Sequence, residues 1–258
     1  MGNSGLICYT KLSPNHSGQR THAIDRITPH CVVGQLSCET ICDCFPAGRN
    51  ASCNYGIGKD GRISLCVEEK NRSWCSSSNA NDQRAVTIEC ASDKSEPYAM
   101  TNAVYASLVK LCVDICKRNG KKKLLWFGDK AKTLAYNPAA DEMIITVHRW
   151  FANKSCPGNW LYSRLGDLAA QVTAQLSGSN GTSGSAGFPA TPFQVRVIVS
   201  DLNIRKQPCM GNNTTGKYTG KGMFTIVEVK DGWGKLKSGA GWIWLKNSNY
   251  CTVLNTVG

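Results

Sequence analysis

The sequence predicts an α/β domain followed by a small all-β domain, and three observations carry that expectation. Strand-like apolar runs and amphipathic helix patterns mix along residues 1–176. An uncharged stretch, "SGSNGTSGSAGFPATP" (177–192), then interrupts the chain with the composition of a flexible linker. Beyond it, residues 193–258 alternate apolar and polar positions between Gly- and Asp-containing turns, the pattern of a small antiparallel barrel. At 258 residues the chain is long enough for two domains, each with its own core.

Each element has its own signal. "RITPHCVVGQ" reads as an early strand, and "NYGIGKDGRISLCV" as strand, Asp60-Gly61 turn and strand. "AVTIEC" is a short apolar strand with one conspicuous charge, Glu89. "AMTNAVYASLVKLCVDICKRNG" has the period of an amphipathic helix, closed by a basic turn and Gly120. Cys112 and Cys116, four residues apart, belong to its core face. "DEMIITVHRW" follows as strand or loop, and "LYSRLGDLAAQVTAQL" as a last helix. After the linker, "FQVRVIVSDLNIRKQP", "KGMFTIVEVKDGWGKLK" and "GAGWIWLK" supply the strands of the second domain.

Composition narrows the class. The net charge of +12 favours a polyanionic partner: nucleic acid, anionic lipid or an anionic cell-wall polymer. Residues 193–258 carry nine basic and three acidic residues and are the more densely positive part. No recognised nucleic-acid-reading motif accompanies the charge, so nucleic acid is not the expected partner. No apolar run reaches 18 residues, and "MGNSGLICYTKLSP" lacks the apolar core of a signal peptide. The expectation is a protein made in the cytoplasm without stable membrane insertion. The length and the missing signal also read the fourteen cysteines as mostly reduced, buried thiols rather than a disulfide scaffold. The closely spaced Cys38, Cys42 and Cys44 in "CETICDC" match no standard zinc finger, and a second metal cluster is the lesser alternative for them.

Chemistry concentrates in "VHRWFANKSCPG" (147–158). His148 and Cys156, eight residues apart, are good zinc ligands at an interval no zinc finger uses. His30, at the end of the strand pattern "RITPHCVVG", can complete a three-ligand site with one position left for water. Taken singly, each histidine is more often a hydrogen-bonded structural residue; His16 and His22, in a polar segment, read as surface residues.

In order along the chain, "ITPHCVVG", "ASCNYGIGKDGRI", "AVTIEC" and "VHRWFANKSCPG" resemble the zinc-dependent N-acetylmuramoyl-L-alanine amidases of the phage-endolysin and peptidoglycan-recognition type. The resemblance covers most of residues 20–160 and implies a mixed central sheet flanked by helices. It makes His30, His148 and Cys156 the ligands of Zn2+, Glu89 the carboxylate beside the zinc water, Lys154 the oxyanion stabiliser and Tyr55 a residue lining the cleft. Many relatives have a histidine after the tryptophan preceding the Glu89 strand; here Trp74 is followed by Cys75. In the tail, "LNIRKQP" and "DGWGKLKSGAGWIWLK" resemble bacterial SH3-type domains, which implies an SH3-like barrel that binds the cell wall. Trp233, Trp242, Trp244 and Tyr218 are its aromatic candidates for a groove.

Together these imply a peptidoglycan hydrolase, a phage or prophage endolysin or an autolysin. It would cleave between N-acetylmuramic acid and L-alanine and act on the cell wall after release. Two alternatives stand beside it: a non-catalytic peptidoglycan-binding protein, and a cell-wall cysteine peptidase with His148 as base.

Overall fold

The computed structural model describes residues 2–177, 188–208, 214–230, 232–245 and 250–254. The chain divides into two compact units, Met1–Ser179 and Asn180–Gly258. Most of the expected linker, residues 178–187, lies outside the described residues.

The first unit opens with β1 (Ile7–Thr10), β2 (His16–Gln19), β3 (Arg26–Cys31), α1 (Cys38–Asp43), β4 (Tyr55–Ile57), β5 (Ile63–Leu65) and β6 (Asn71–Ser73). It continues with α2 (Asn79–Arg84), β7 (Ala85–Cys90), α3 (Asn102–Arg118), β8 (Lys123–Leu125), α4 (Lys130–Ala135) and β9 (Glu142–Ile145). A 3-10 turn (His148–Trp150), α5 (Gly158–Tyr162) and α6 (Leu165–Leu176) complete it. Seven strands form one sheet in the order β1-β5-β4-β7-β3-β9-β8. Every pairing is parallel except β4 with β5, so the sheet is mixed, with helices packed on it. β2 and β6 pair separately.

The central strands are inaccessible along their length: every residue of β3 and β9 is buried, and all of β7 except Glu89. Strands covered on both faces read as continuous apolar runs, which is why "AVTIEC" was legible and its single charge conspicuous. α1 lies over Gly56, where a Cβ would meet Ile41 Cγ2 at 2.7 Å. Tyr55, the preceding residue, points to the opposite face. There its hydroxyl donates to Glu69 (2.6 Å), which also accepts from Arg118 at the end of α3. α1 and α3 therefore cover opposite faces.

α3 starts at Thr101, whose side chain accepts from the Val104 N–H, and ends at Gly120, with φ of 68°. Cys112 and Cys116 are fully buried on its core face. The expected last helix is two, because Ser163 and Arg164 break the pattern between α5 and α6. "CETICDC" is the helix α1, capped by Ser37, with Cys38, Ile41 and Cys42 buried.

The second unit contains β10 (Phe193–Val197), β11 (Asn203–Arg205), β12 (Thr214–Tyr218), β13 (Gly222–Lys230), β14 (Trp233–Leu236), β15 (Trp242–Trp244) and β16 (Cys251–Leu254). They form one antiparallel sheet, β12-β11-β15-β14-β13-β10-β16, around Phe193, Val195, Ile226 and Ile243. Among the described residues no helix is long and apolar enough to cross a membrane.

Candidate functional site

Three parallel strands set the site's floor. In the sheet register Glu89 on β7 lies beside both His30 on β3 and Gly56 on β4, so the three share one row and one face. His30 is fully buried. Burial, and then the neighbouring His148, push its pKa well below the usual histidine range, so the imidazole is neutral and offers a lone pair. Its Nδ1 lies 3.2 Å from Cys156 Sγ, and its ring centroid 5.1 Å from that of His148.

The other two donors come from the chain that leaves β9. His148 opens the 3-10 turn, and the Arg149 N–H donates to the Cys156 carbonyl (3.1 Å), closing the eight-residue interval back on itself. The Arg149 guanidinium reinforces that closure, donating to the carbonyl of Ser155 and to Asn159 Oδ1. Trp150 anchors the turn by stacking on Trp126, their rings parallel and 5.2 Å apart. Two residues past Cys156, Gly158 has φ of 81°, and a Cβ there would meet Tyr98 Cβ at 2.7 Å and the Pro97 carbonyl at 2.8 Å. Glycine is required on both counts.

His30, His148 and Cys156 thus present one donor atom each within 4.8 Å of one another. The donor set suits zinc, which takes imidazole nitrogen at about 2.0–2.1 Å and thiolate at about 2.3 Å. Burial pushes the Cys156 thiol well up, and a bound metal ion would take the proton's place on its sulfur. A second donor group, His30, Cys75 and Glu89, adjoins the first.

Glu89 is desolvated, which raises its carboxyl to about 7, with the Cys75 thiol 3.8 Å from Oε1. Oε2 is buried without a partner, as is His30 Nε2. Lys154 lies exposed on the loop, and its charge is the second cause, after burial, of a lowered pKa at His148.

Tyr55 is not brought to this site. It is fully buried on the other face of the sheet, its hydroxyl held between the Ser4 N–H and Glu69, and burial pushes its pKa up. The expectation of a cleft residue is corrected by strand alternation: only one of two consecutive residues can share a row with Glu89.

Sequence reasoning missed the support on the His148 side. Ser77 Oγ is 2.9 Å from His148 Nε2 and holds the ring from that side. Ser77 itself has φ of 61°, fixed by Asp82 on α2, which accepts from the N–H groups of Cys75 and Ser76 and from Ser76 Oγ. The only signal was the cluster "SSSNAND", in which serine precedes an acidic helix start. Asn50, Trp74, Cys75, Ser77, Asp82 and His148 line a cleft of about 410 Å³.

In the second unit Trp233 and Trp242 are largely buried, while Tyr218 is 58% exposed. A smaller cleft there, about 230 Å³, is lined by Asp201, Asn203, Arg205, Trp233, Trp244 and Tyr250.

Residues 20–159 match the family model described as N-acetylmuramoyl-L-alanine amidase (Amidase_2). Among solved structures, PlyL is similar at 13% identity and a TM-score of 0.46, over 64% of this chain and 95% of PlyL. The endolysin N-acetylmuramoyl-L-alanine amidase LysCS from Clostridium intestinale URNW is 15% identical at 0.37, over 59% of this chain and 89% of its own. The Staphylococcus aureus hydrolase AmiA, in complex with its ligand, is 12% identical at 0.44, over 66% and 82%. No curated protein matches the chain.

Proposed function

Because the chain belongs to the N-acetylmuramoyl-L-alanine amidase family, we propose that it hydrolyses the peptidoglycan amide between the lactyl group of N-acetylmuramic acid and L-alanine. His30, His148 and Cys156 would hold the zinc ion. The observation that carries this reading is the convergence of those three donors within 4.8 Å. Zinc bound there supplies Lewis acidity, polarising a carbonyl and bringing a water's pKa towards ~7.

The chain's own residues do the rest. Glu89, with a carboxyl raised to about 7 and one unpartnered oxygen, accepts a proton from the attacking water and delivers it to the leaving amine. Lys154, whose charge reaches His148, favours the developing oxyanion. Ser77 orients the His148 ring through its contact with Nε2. Arg149 and Gly158 keep Cys156 turned towards His30. Residues 193–258 form an SH3-like module that holds the enzyme on the anionic wall, with residues 177–192 as linker and residues 1–176 as the catalytic domain. This is the arrangement of an endolysin or autolysin.

The test is release of new N-terminal alanine from purified peptidoglycan, lost on chelation and restored by zinc. Cys156→Ser is expected to lose bound zinc and activity together. New reducing sugar ends in place of amine, or full activity in metal-free protein, would sink the reading. A zinc-free wild type without activity would instead identify a binding protein.

The contact between Cys156 Sγ and His30 Nδ1 also has the form of a thiol–imidazole dyad, the cysteine-peptidase alternative with His30 in the place expected of His148. A nucleophilic thiol needs a depressed pKa, and burial drives Cys156 the other way. Chelation followed by metal add-back separates the two, since a peptidase ignores both.

A further inference from the structure

Away from the site, α1 is held so low on the sheet that one of its thiols meets another just past the end of β5. Gly56 permits the approach, leaving room for Ile41 of α1 where a side chain would collide. Cys42, the next residue on the buried face of α1, places Sγ 2.7 Å from Cys66 Sγ across 24 residues of sequence. Two non-bonded sulfurs do not ordinarily approach so closely, and a covalent pair needs only a further contraction to about 2.05 Å. The remaining neighbours are neutral: the Leu65 carbonyl is 3.7 Å from Cys42 Sγ, and Ser64 Oγ is 3.9 Å from Cys66 Sγ. A third thiol, Cys53, also contacts Cys66. The pair does not belong to a metal cluster, because among the described residues both groups of three clustered donors are built on His30.

We propose that Cys42 and Cys66 are a disulfide-forming pair, which links α1 to the sheet when the chain meets a low-molecular-weight disulfide such as oxidised glutathione. One protein thiolate attacks the small disulfide, releasing one glutathione thiolate and leaving a mixed disulfide. The second protein thiolate then displaces the other glutathione. One S–S bond is lost and one is formed; two protein thiols are oxidised, one small disulfide is reduced, and two protons pass to the departing thiolates. Cys42 is 3% exposed and Cys66 is 0% exposed, so exchange needs α1 to open, and the finished bond is sheltered from reductants. The link restrains the segment between α1 and β5, which includes β4 and its place in the site's floor.

The intact, zinc-supplemented protein, refolded with oxidised and reduced glutathione, provides the test. Free thiols are trapped with N-ethylmaleimide, and peptides from a non-reducing digest are identified by mass spectrometry. A peptide linking Cys42 to Cys66 is expected in the wild type and in Cys53→Ser, and is absent from Cys42→Ser and Cys66→Ser. Oxidised wild type should melt several degrees above its reduced form, a difference absent in the double variant Cys42→Ala/Cys66→Ala. Recovery of Cys42 and Cys66 as alkylated thiols in folded, oxidised wild type would overturn the proposal, as would Cys66 joined to Cys53. Both outcomes are read from thiol connectivity and melting, and so are distinguishable from a failure of the zinc or amidase reading.

Discussion

Tyr55 and Glu89 lie one sheet row apart on neighbouring strands and face opposite ways, which gives them separate consequences on mutation. Tyr55→Phe removes a buried hydroxyl that donates to Glu69 and accepts from the Ser4 N–H. Loss of such bonds costs about 1–3 kcal/mol. A fall in Tm with kcat within about twofold is therefore expected; an unchanged Tm with a large loss of kcat would return Tyr55 to the cleft. Glu89→Gln should do the reverse, lowering kcat by ~10²–10⁴ with little effect on Tm. The sign of its pH effect follows from the base role, since activity is present above the Glu89 pKa and lost as pH falls through it. Burial raises that value to about 7 against the lowering effects of the Cys75 contact and of Arg49, and a further cation nearby lowers it. The acid limb of kcat/KM should therefore fall below 7 in the zinc-loaded enzyme and vanish in Glu89→Gln. An unchanged limb in the variant would assign it to another group. His30 and Glu89 stand out in the sequence as a ligand type and a charge on apolar strands, and His148 and Cys156 as ligand types at an unusual interval. Ser77 and Asp82 do not, because a serine or aspartate in a polar loop looks the same whether or not it supports an imidazole.

Elements were legible where burial imposed a near-continuous apolar run, as in β7 and β9, or a helical period, as in α3. β3, β7, β9 and α3 each expose a sequence pattern set by the core. Short pieces such as α1, α2, α4 and β6, each of six residues or fewer, take their conformation from caps and neighbours instead. A helix of that length holds too few turns to show a period. The loop from β9 to α5 is the element on which the site depends most, and Gly158 is its hinge against Tyr98 and Pro97. Gly158→Ala must relieve both a left-handed backbone and a collision, a strain of roughly 1–3 kcal/mol. Weakened zinc binding together with a lowered Tm is expected, read by competition with a fluorescent chelator and by thermal melts. Wild-type zinc affinity in Gly158→Ala would show that Cys156 is positioned independently of the turn.

For the whole molecule, the proposed wall attachment predicts a salt effect. The excess of basic residues in 193–258 should hold the intact chain on anionic walls through screened, long-range attraction. Retention on purified walls is expected to fall steeply towards about 1 M salt, where the Debye length is only ~3 Å, while turnover of a soluble muropeptide changes little. Retention indifferent to salt would place wall recognition in apolar contacts instead. A different consequence follows from the shared row of His30, Glu89 and Gly56. Three strands, distant in sequence, must zip in one frame for that row to exist, and a slip of one residue on β7 would present Ile88 where Glu89 belongs. Such a chain could be compact and still inert. On the proposed mechanism, amide cleavage would then report that the sheet was assembled in phase.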